Sequence, residues 1–161
     1  MRLLSPIPQT HLSEAARIWW HSFGPRHRRD RVPHICPAHG IAAIDAQDRV
    51  AGVMGLRDSE GGFLLAPPLS LRWLYRAAPP TADLVIDGIV ARQRRAGTGR
   101  ALLAEAGRRA RACGRPGLRA EVLARNTAAI AFYRALGFSE LTRGRYGRIW
   151  SGQVVIMRRP V

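Results

Sequence analysis

The sequence predicts an α/β protein in which a mixed β-sheet is flanked by helices. An apolar, β-branched run at residues 84–90 leads into a glycine-bearing turn and then into a segment of helical spacing. Another strand-like run follows at 118–124, and a strand, a helix and a strand in that order predict a parallel crossover. Two apolar runs at 39–46 and 49–58 flank a short polar turn, which predicts an antiparallel hairpin.

Length and composition favour a single globular domain over residues 1–161. A chain of 161 residues suits one hydrophobic core, and 47% of the residues are apolar. No apolar run approaches the ~20 residues that span a bilayer, and the apolar part of residues 1–11 is too short for a signal peptide. Cys36 and Cys113 are too few and too far apart for a disulfide framework. We therefore expect a cytoplasmic protein with no membrane partner.

The formal net charge is +15, which by itself suggests a nucleic-acid-binding protein. All 26 basic residues are arginines, however, and they are spread along the whole chain. The sequence contains no basic arm and no base-reading motif. We therefore do not expect nucleic acid as a partner, and a basic nucleic-acid-binding module remains only an alternative function. A diffuse positive field would still attract an anionic ligand.

The N-terminal segment predicts a strand and then a helix. Residues 2–7 form a short strand closed by prolines, and Thr10 is placed to cap the helix that follows. The helix ends near Gly24, and Trp20 lies off its apolar face, where it can line a pocket. That apolar face consists of Leu12, Ala15, Ala16, Trp19 and Phe23.

Two less regular segments frame the hairpin. Residues 24–40 include His34, Cys36 and His39, but a zinc site needs a fourth ligand and usually paired spacing. We therefore predict no metal and interpret these residues as a loop at the border of a pocket. Residues 66–80 lie between prolines and predict a short helix that covers the central strand.

The C-terminal part predicts one helix and two strands. Asn126 can cap the helix and Gly137 ends it. Strands are predicted near 138–143 and 153–159. A C-terminal edge strand could pair with a second copy of the chain in a homodimer.

The junction after the central strand has the features of a phosphate-binding loop. The first turn of a helix leaves backbone N–H groups unpaired at the positive end of the helix dipole, and glycines let an anion come close to them. Residues 94–100 contain two glycines and three arginines. A Walker A loop would need a lysine, which the sequence lacks, and the Rossmann fingerprint would need a glycine where Leu102 stands.

Arg94, Gly97 and Gly99 instead match the pattern Arg-x-x-Gly-x-Gly. This loop resembles the coenzyme A pyrophosphate loop of the GNAT N-acetyltransferase superfamily. Arg95 stands where these proteins often have glycine, and Thr98 where they often have an aliphatic residue. Neither departure removes the backbone N–H groups that would bind phosphate. An ordinary strand-to-helix turn is the alternative interpretation of the loop taken alone.

Residues 122–138 resemble the second conserved block of the same superfamily. In that block a strand leads to Asn and then to a helix ending in Phe-Tyr-x-x-x-Gly-Phe. Asn126 and Tyr133 are seven positions apart, about two helical turns, so they are predicted to share a face. The matching residues are Asn126, Phe132, Tyr133, Gly137 and Phe138.

The resemblance implies a fold and an activity. The fold is a mixed, largely antiparallel central sheet whose parallel strand pair splays around coenzyme A, flanked by helices. The activity is acetyl-CoA-dependent N-acetyl transfer by direct attack of an amine of a small molecule or a peptide. A non-catalytic protein of this fold that binds coenzyme A is the alternative. The residues expected to bind acetyl-CoA are Ile89, Val90, Ala91, Arg94, Arg95, Ala96, Gly97, Thr98, Gly99, Arg100, Asn126 and Tyr133.

The resemblance also implies catalytic roles. Tyr133 is expected to act as general acid for the leaving thiolate, and a backbone N–H near Ile89 to stabilise the oxyanion. The attacking amine must also lose a proton. Asp83 and Asp87 lie four positions apart on the central strand, hence on one face, and either is a candidate base. Glu121 on the neighbouring strand is a third candidate, and the sequence does not rank the three.

Overall fold

The computed structural model describes residues 1–25, 27, 29–64, 75–93, 95–148, 150 and 152–161. The described part contains three α-helices: α1 (Gln9–Phe23), α2 (Thr98–Ala112) and α3 (Thr127–Ala135). A short 3-10 turn covers Pro37–His39. The strands are β1 (Arg2–Leu4), β2 (Gly40–Ile44), β3 (Val50–Asp58), β4 (Gly61–Gly62), β5 (Tyr75–Arg76), β6 (Leu84–Ala91), β7 (Gly117–Leu123), β8 (Ser139–Gly144), β9 (Gly147–Arg148) and β10 (Val154–Pro160).

Eight of the described strands form one mixed sheet in the order β1-β2-β3-β6-β7-β10-β8, with β4 paired to the end of β3, and β5 and β9 pair separately. Among the described strands of the large sheet, only the β6–β7 pair is parallel; the other pairs are antiparallel. The two parallel strands are connected through α2. Both the largely antiparallel sheet and its parallel pair confirm the predicted fold class.

The two faces of the sheet carry separate apolar cores. On one face α1 packs on β2 and β3 through Ala15, Ala16 and Trp19. On the other face α2 and α3 pack on the central strands, with Leu102, Leu103, Ile130 and Tyr133 in the buried cluster. This confirms the predicted core role of Trp19, which is 5% exposed. The helices thus cover both faces of the central strand, as its apolar run requires.

Several sequence-based expectations need correction. Thr10 does not cap α1, because the helix begins one residue earlier, at Gln9, after Pro8. Of the helix predicted over 66–80, residues 66–74 lie outside the described residues, and Tyr75–Arg76 is a two-residue strand paired with β9. The local proline spacing suggested a helix there, whereas pairing with a segment far along the chain decides the conformation.

The C-terminal strand is not an edge strand. β10 lies between β7 and β8 and pairs with both, so β8 forms that edge of the sheet. Both hydrogen-bonding sides of the last strand are occupied, so the edge open to a second copy of the chain is β8, and a homodimer stays a prediction. Of the helices in the described ranges, none combines the length and apolar character needed to cross a bilayer.

Candidate active site

The parallel strand pair opens halfway along its length. β6 and β7 pair from Leu84–Leu118 to Ile86–Ala120. Beyond that point the pairing stops, although β6 continues to Ala91 and β7 continues to Leu123. The sheet therefore has a gap between two adjacent strands, and this gap is the centre of the candidate site.

A β-bulge in β6 marks the start of the gap. Leu56 of β3 pairs with Ile86, but the preceding Gly55 pairs with Gly88, so Asp87 is the extra residue. A bulge bends its strand and increases the local twist, which is how one strand can diverge from a neighbour. It also shifts the alternation of side chains, so Asp87 lies on the α1 face while Ile89 packs against the core under α2 and α3.

Two backbone N–H groups of β6 face the gap. The Arg92 N–H donates to Ala51 O of β3 at 2.9 Å, and Gly52 and Ala91 form the adjacent pair. Because N–H groups alternate along a strand, those of Ile89 and Ala91 point away from β3. They are donors at the edge of an opening, where an extended ligand can pair with them as an additional strand would.

The N-terminus of α2 lies close behind the end of β6. Gly97 is the N-cap, with φ +78°, and a Cβ built there meets nothing within 4 Å. The first bond of the helix runs from Ala101 N–H to Gly97 O at 3.0 Å. The N–H groups of the preceding turn, Thr98 to Arg100, therefore have no intrahelical partner, and the helix dipole makes this end positive.

Side chains around this loop differ in what they can contribute. Arg95, with φ +63°, and Ala96 are exposed. The Thr98 side chain is buried against Gly52, so Thr98 can offer only its backbone to a ligand. Arg100 is exposed on the first turn of α2. Arg94 lies outside the described residues.

Tyr133 and Asn126, for which the sequence predicts one shared face, differ in their burial. Asn126 is exposed, and its side chain caps α3 by accepting a hydrogen bond from the Ala129 N–H at 3.1 Å. Tyr133 is 6% exposed, with its ring 5.4 Å from Phe132 and 5.0 Å from Phe138. Burial raises the pKa of the Tyr133 hydroxyl, so this phenol keeps its proton at any physiological pH.

Asp87 and Glu121, two of the candidate bases, meet at one arginine. The Arg57 Nε donates to Asp87 Oδ1 at 2.9 Å, and Arg57 Nη2 lies 3.4 Å from Glu121 Oε1. Arg119 extends the group, with Nη2 3.0 Å from the same Glu121 oxygen in an ion-pair contact. Three neighbouring strands thus bring two carboxylates and two arginines together on the α1 face.

The environment of Asp87 suits proton transfer. Burial raises the pKa of the Asp87 carboxyl, Arg57 lowers it, and the charge of Glu121 raises it; the net shift is upward. A carboxylate with a raised pKa holds a proton more readily at neutral pH than an exposed aspartate does. Its side chain is 22% exposed, which leaves it open to a substrate.

Asp83, the third candidate, is held in a different way. It is 4% exposed and lies before the paired part of β6, away from the gap. Arg158 binds both carboxylate oxygens, with Nε 2.8 Å from Oδ2 and Nη2 3.0 Å from Oδ1. The Thr81 hydroxyl also donates to Oδ2 at 3.2 Å. A bidentate, buried pair of this kind favours a structural role.

A cavity of about 290 Å³ opens beside the acid–arginine group. Its wall includes Arg57, Asp58, Asp83, Arg119 and Glu121. Phe23 at the end of α1 approaches the same stretch of β6, since a Cβ at Gly88 would lie 2.6 Å from the Phe23 ring. The cavity lies along the paired part of β6 and β7, where Asp83, Val85 and Arg119 line it, and it reaches Glu121, the first residue of β7 beyond the pairing.

The sequence did not indicate every residue of this site. Arg57 and Arg119 are two among 26 arginines, and nothing in their local sequence distinguishes them. Their role follows from the alignment of β3, β6 and β7 in the sheet. Among the residues that the structure describes, no group of three or more His, Cys, Asp or Glu side chains is arranged to hold a metal ion.

Comparison with known proteins assigns this chain to a known family. The chain belongs to the acetyltransferase (GNAT) family, whose model matches residues 9–138. Comparison with curated proteins gave no match.

Solved structures share the fold at low sequence identity. Nourseothricin acetyltransferase is 25% identical with a TM-score of 0.53, over 75% of this chain and 64% of that one. The ribosomal-protein-S18-alanine N-acetyltransferase from Escherichia coli is 22% identical with a TM-score of 0.62, over 99% and 93%. Arabidopsis thaliana NAA60 in complex with acetyl-CoA is 16% identical with a TM-score of 0.62, over 99% of both chains. This chain thus spans less than two thirds of the first of these proteins and nearly all of the other two.

Proposed function

We propose that this protein transfers an acetyl group from acetyl-CoA to an amine of a small molecule or a peptide. The observation that carries the proposal is the gap between β6 and β7, because pairing ends at Ile86–Ala120 while both strands continue. Behind the gap lies the free N-terminus of α2. The gap offers N–H groups to the amide-bearing arm of coenzyme A, and the helix offers its dipole to the pyrophosphate.

The residues around the gap fit the cofactor. The Ala91 N–H would pair with the pantetheine arm, which leaves the Ile89 N–H for the thioester carbonyl, and the N–H of Val90 between them faces β3. The loop from Arg95 to Arg100 would receive the pyrophosphate on the backbone N–H groups of its helical turn. Acetyl-CoA supplies the activated acyl group; every other task falls to side chains and backbone of the chain itself.

The amine reaches the gap from the α1 face in its protonated form and must lose a proton. Asp87 is the base that we favour among the three candidates, because it lies at the bulge, has a raised pKa and stays partly exposed. Glu121 shares Arg57 with it and would hold the charge of the amine. Asp83 is the weakest candidate, because Arg158 occupies both of its oxygens.

Two groups would stabilise the charges that develop during transfer. The Ile89 N–H, directed into the gap, would donate to the oxyanion. The Tyr133 hydroxyl would donate to the departing sulfur. The ordinary tyrosine pKa of about 10 already exceeds that of a free thiol, about 8.5, and burial raises the Tyr133 pKa further, so the hydroxyl is a weaker acid than the thiol it serves. Tyr133 would therefore act mainly as a hydrogen-bond donor that stabilises the thiolate.

The cavity of about 290 Å³ limits the size of the amine that can be the acetyl acceptor. It lies at the lower end of the volumes of small-molecule sites, roughly 300–1,000 Å³, so it suits a small amine or the first residue of a peptide. Its acidic residues favour a cation, and its arginines favour a carboxylate or another anionic group nearby. Relatives of the same fold carry names that indicate both kinds of acceptor, a small molecule and a protein alanine.

The decisive experiment measures acetyl transfer from acetyl-CoA to a panel of small amines and short peptides. Tyr133→Phe should lower kcat by about 10²-fold or more, since removing one hydrogen-bond donor to a developing negative charge costs roughly 10²–10³-fold. Its affinity for acetyl-CoA should stay unchanged, because the ring still packs between Phe132 and Phe138.

Tyr146→Phe is the matched control, as it removes a hydroxyl from the connection between β8 and β9 and should leave kcat intact. An equal loss in both variants would remove Tyr133 from the mechanism. Binding of acetyl-CoA without turnover of any amine would favour the alternative of a non-catalytic coenzyme A-binding protein.

A further inference from the structure

A second group of reactive side chains lies outside the gap and comprises Cys36, His39 and Asp58. The His39 Nδ1 is 3.4 Å from Cys36 Sγ, and its Nε2 is 3.2 Å from Asp58 Oδ1. One imidazole ring thus bridges a thiol and a carboxylate. The transfer mechanism proposed above uses none of these three side chains.

The fold brings the three side chains together from two segments. The 3-10 turn Pro37–His39 follows Cys36 directly, and residues three apart eclipse in such a turn, which sets His39 beside Cys36. The following strand β2 pairs with β3, and Asp58 is the last residue of β3. The hairpin to β4 then closes over the ring, since a Cβ at Gly61 would lie 3.4 Å from His39 Cε1.

Asp58 is itself held in place. Its Oδ1 accepts the Glu60 N–H at 2.9 Å, and its Oδ2 lies 3.2 Å from Arg115 Nη2. The Asp58 and His39 side chains are 11% and 12% exposed, so their contact is largely shielded from water. The carboxylate therefore has a fixed position from which it can fix the ring of His39.

The electrostatics favour a charged thiolate–imidazolium pair. The hydrogen bond from His39 lowers the pKa of the Cys36 thiol, and backbone N–H groups of Ala38 and His39 lower it further. Burial opposes a charge on His39, but its contacts with Cys36 and Asp58 overcome this, so the pKa of the imidazole is raised. Cys36 remains partly exposed, which leaves it open to a reagent.

We propose that Cys36 is a nucleophilic thiol that accepts acyl groups from thioesters, with His39 as its base and Asp58 as a positioning residue. A nucleophile, a base within hydrogen-bond reach and a third group that orients the base form the arrangement this chemistry requires. The Cys36 sulfur forms a bond to the thioester carbonyl carbon, and the bond from that carbon to the donor sulfur breaks. His39 takes the proton of the Cys36 thiol and returns it to the departing thiolate.

We choose a thioester as the electrophile because the proposed function already includes one, acetyl-CoA. The choice of acyl donor therefore rests on the proposed function. Exchange of an acyl group between two thiols needs no further reactant and conserves the thioester bond. Asp58 also lines the cavity beside Glu121, so the Cys36–His39–Asp58 group adjoins the proposed amine site.

The test follows S-acetylation of the whole protein by a small thioester, S-acetyl-N-acetylcysteamine, which lacks the nucleotide of coenzyme A. Acetylated Cys36 and Cys113 peptides are quantified by mass spectrometry from pH 5.5 to 9. Cys113 is exposed at the end of α2 and serves as the internal reference in the same molecule. We expect acetylation of Cys36 to persist at low pH and to exceed that of Cys113 roughly tenfold near pH 6.5, because the thiolate is the reacting form.

His39→Gln should abolish the faster acetylation of Cys36 relative to Cys113. Asp58→Asn should move the pH profile of Cys36 acetylation to higher pH, and Cys113→Ser should leave the acetylation of Cys36 unaffected. Equal rates for both cysteines at every pH in the unmodified chain would overturn the proposal without any variant. Gly97→Leu, aimed at the acetyl-CoA loop, should leave this reaction intact. In the unmodified chain, preferential acetylation of Cys36 without any amine transfer would contradict the proposed function alone, and amine transfer without preferential acetylation of Cys36 would contradict only the role of Cys36.

Discussion

At the scale of single residues, Asp87 is the residue on which amine transfer should depend most. Its pKa is raised by burial, so activity should fall as the pH drops through that raised value, because the protonated carboxyl cannot accept a proton. We expect the acid limb of kcat/KM to lie above the ordinary aspartate value of about 4 and to vanish in Asp87→Asn, with rates about 10²-fold lower. The pH profile of kcat/KM for a transferred amine measures both effects.

Glu121→Gln is the control for this assignment. The charge of Glu121 contributes to raising the pKa of Asp87, so its removal should shift the acid limb to lower pH without removing it. An acid limb that persists unchanged in Asp87→Asn would show that another group accepts the proton.

Asp83 and Arg158 should matter for stability. Arg158→Gln leaves a buried carboxylate without its bidentate partner, and such a loss costs about 3 kcal/mol or more of unfolding free energy. Urea denaturation monitored by circular dichroism would measure it. The double variant Asp83→Asn/Arg158→Gln should recover most of the loss. Loss of catalysis in Asp83→Asn, with unchanged stability, would instead return Asp83 to the candidate bases.

The sequence could not separate these two aspartates. Their spacing predicts one face of the same strand for both, and no neighbouring residue tells them apart. They differ in their partners, Arg57 from β3 and Arg158 from β10, which are distant in sequence. Partners of this kind are decided by sheet pairing, which no local pattern reports.

At the scale of elements, the start of α2 is the feature most open to test. Gly97 and Gly114 both have positive φ, +78° and +64°, and a Cβ added at either position would meet no atom within 4 Å. Leucine at either site should cost about 1–2 kcal/mol for the left-handed backbone. Only Gly97→Leu should also lose stabilisation by acetyl-CoA, which for the parent protein should be about 2.7 kcal/mol at a hundredfold excess over Kd.

A thermal titration with acetyl-CoA distinguishes these two glycine variants. Gly114 follows the other end of α2, so Gly114→Leu controls for backbone strain. Equal shifts with acetyl-CoA for both variants would argue that the pyrophosphate does not lie on the Gly97 turn.

Elements with strong periodicity were predicted well from the sequence. The β2–β3 hairpin, the strand–turn–helix of β6 and α2, and the Asn126 cap of α3 all lie where the pattern indicated. The two-residue strands β5 and β9 were missed, because so short a segment has no period to detect. The bulge at Asp87 was missed as well, since it is defined by the register against β3.

At the scale of the whole molecule, the net charge of +15 should strengthen the binding of the anionic acetyl donor, acetyl-CoA, rather than affect the fold. Raising the salt concentration to about 0.5 M should increase KM for acetyl-CoA roughly tenfold and leave kcat unchanged, because screening weakens long-range attraction. Steady-state kinetics over a salt series would show this. The uncharged donor S-acetyl-N-acetylcysteamine should show no such dependence, and a salt effect on it would point to a change in the protein itself.

The sequence by itself determined the class of fold, the family motifs and the positions of the loop proposed to bind acetyl-CoA and of Tyr133. These depend on residues close together along the chain, where helical and strand periods, caps and glycine turns act locally. Only the tertiary structure decided which acid stands beside the gap and that Cys36, His39 and Asp58 are in contact. The register of β3 against its neighbours sets both, because burial and ion pairing depend on what lies across the sheet rather than on what precedes along the chain.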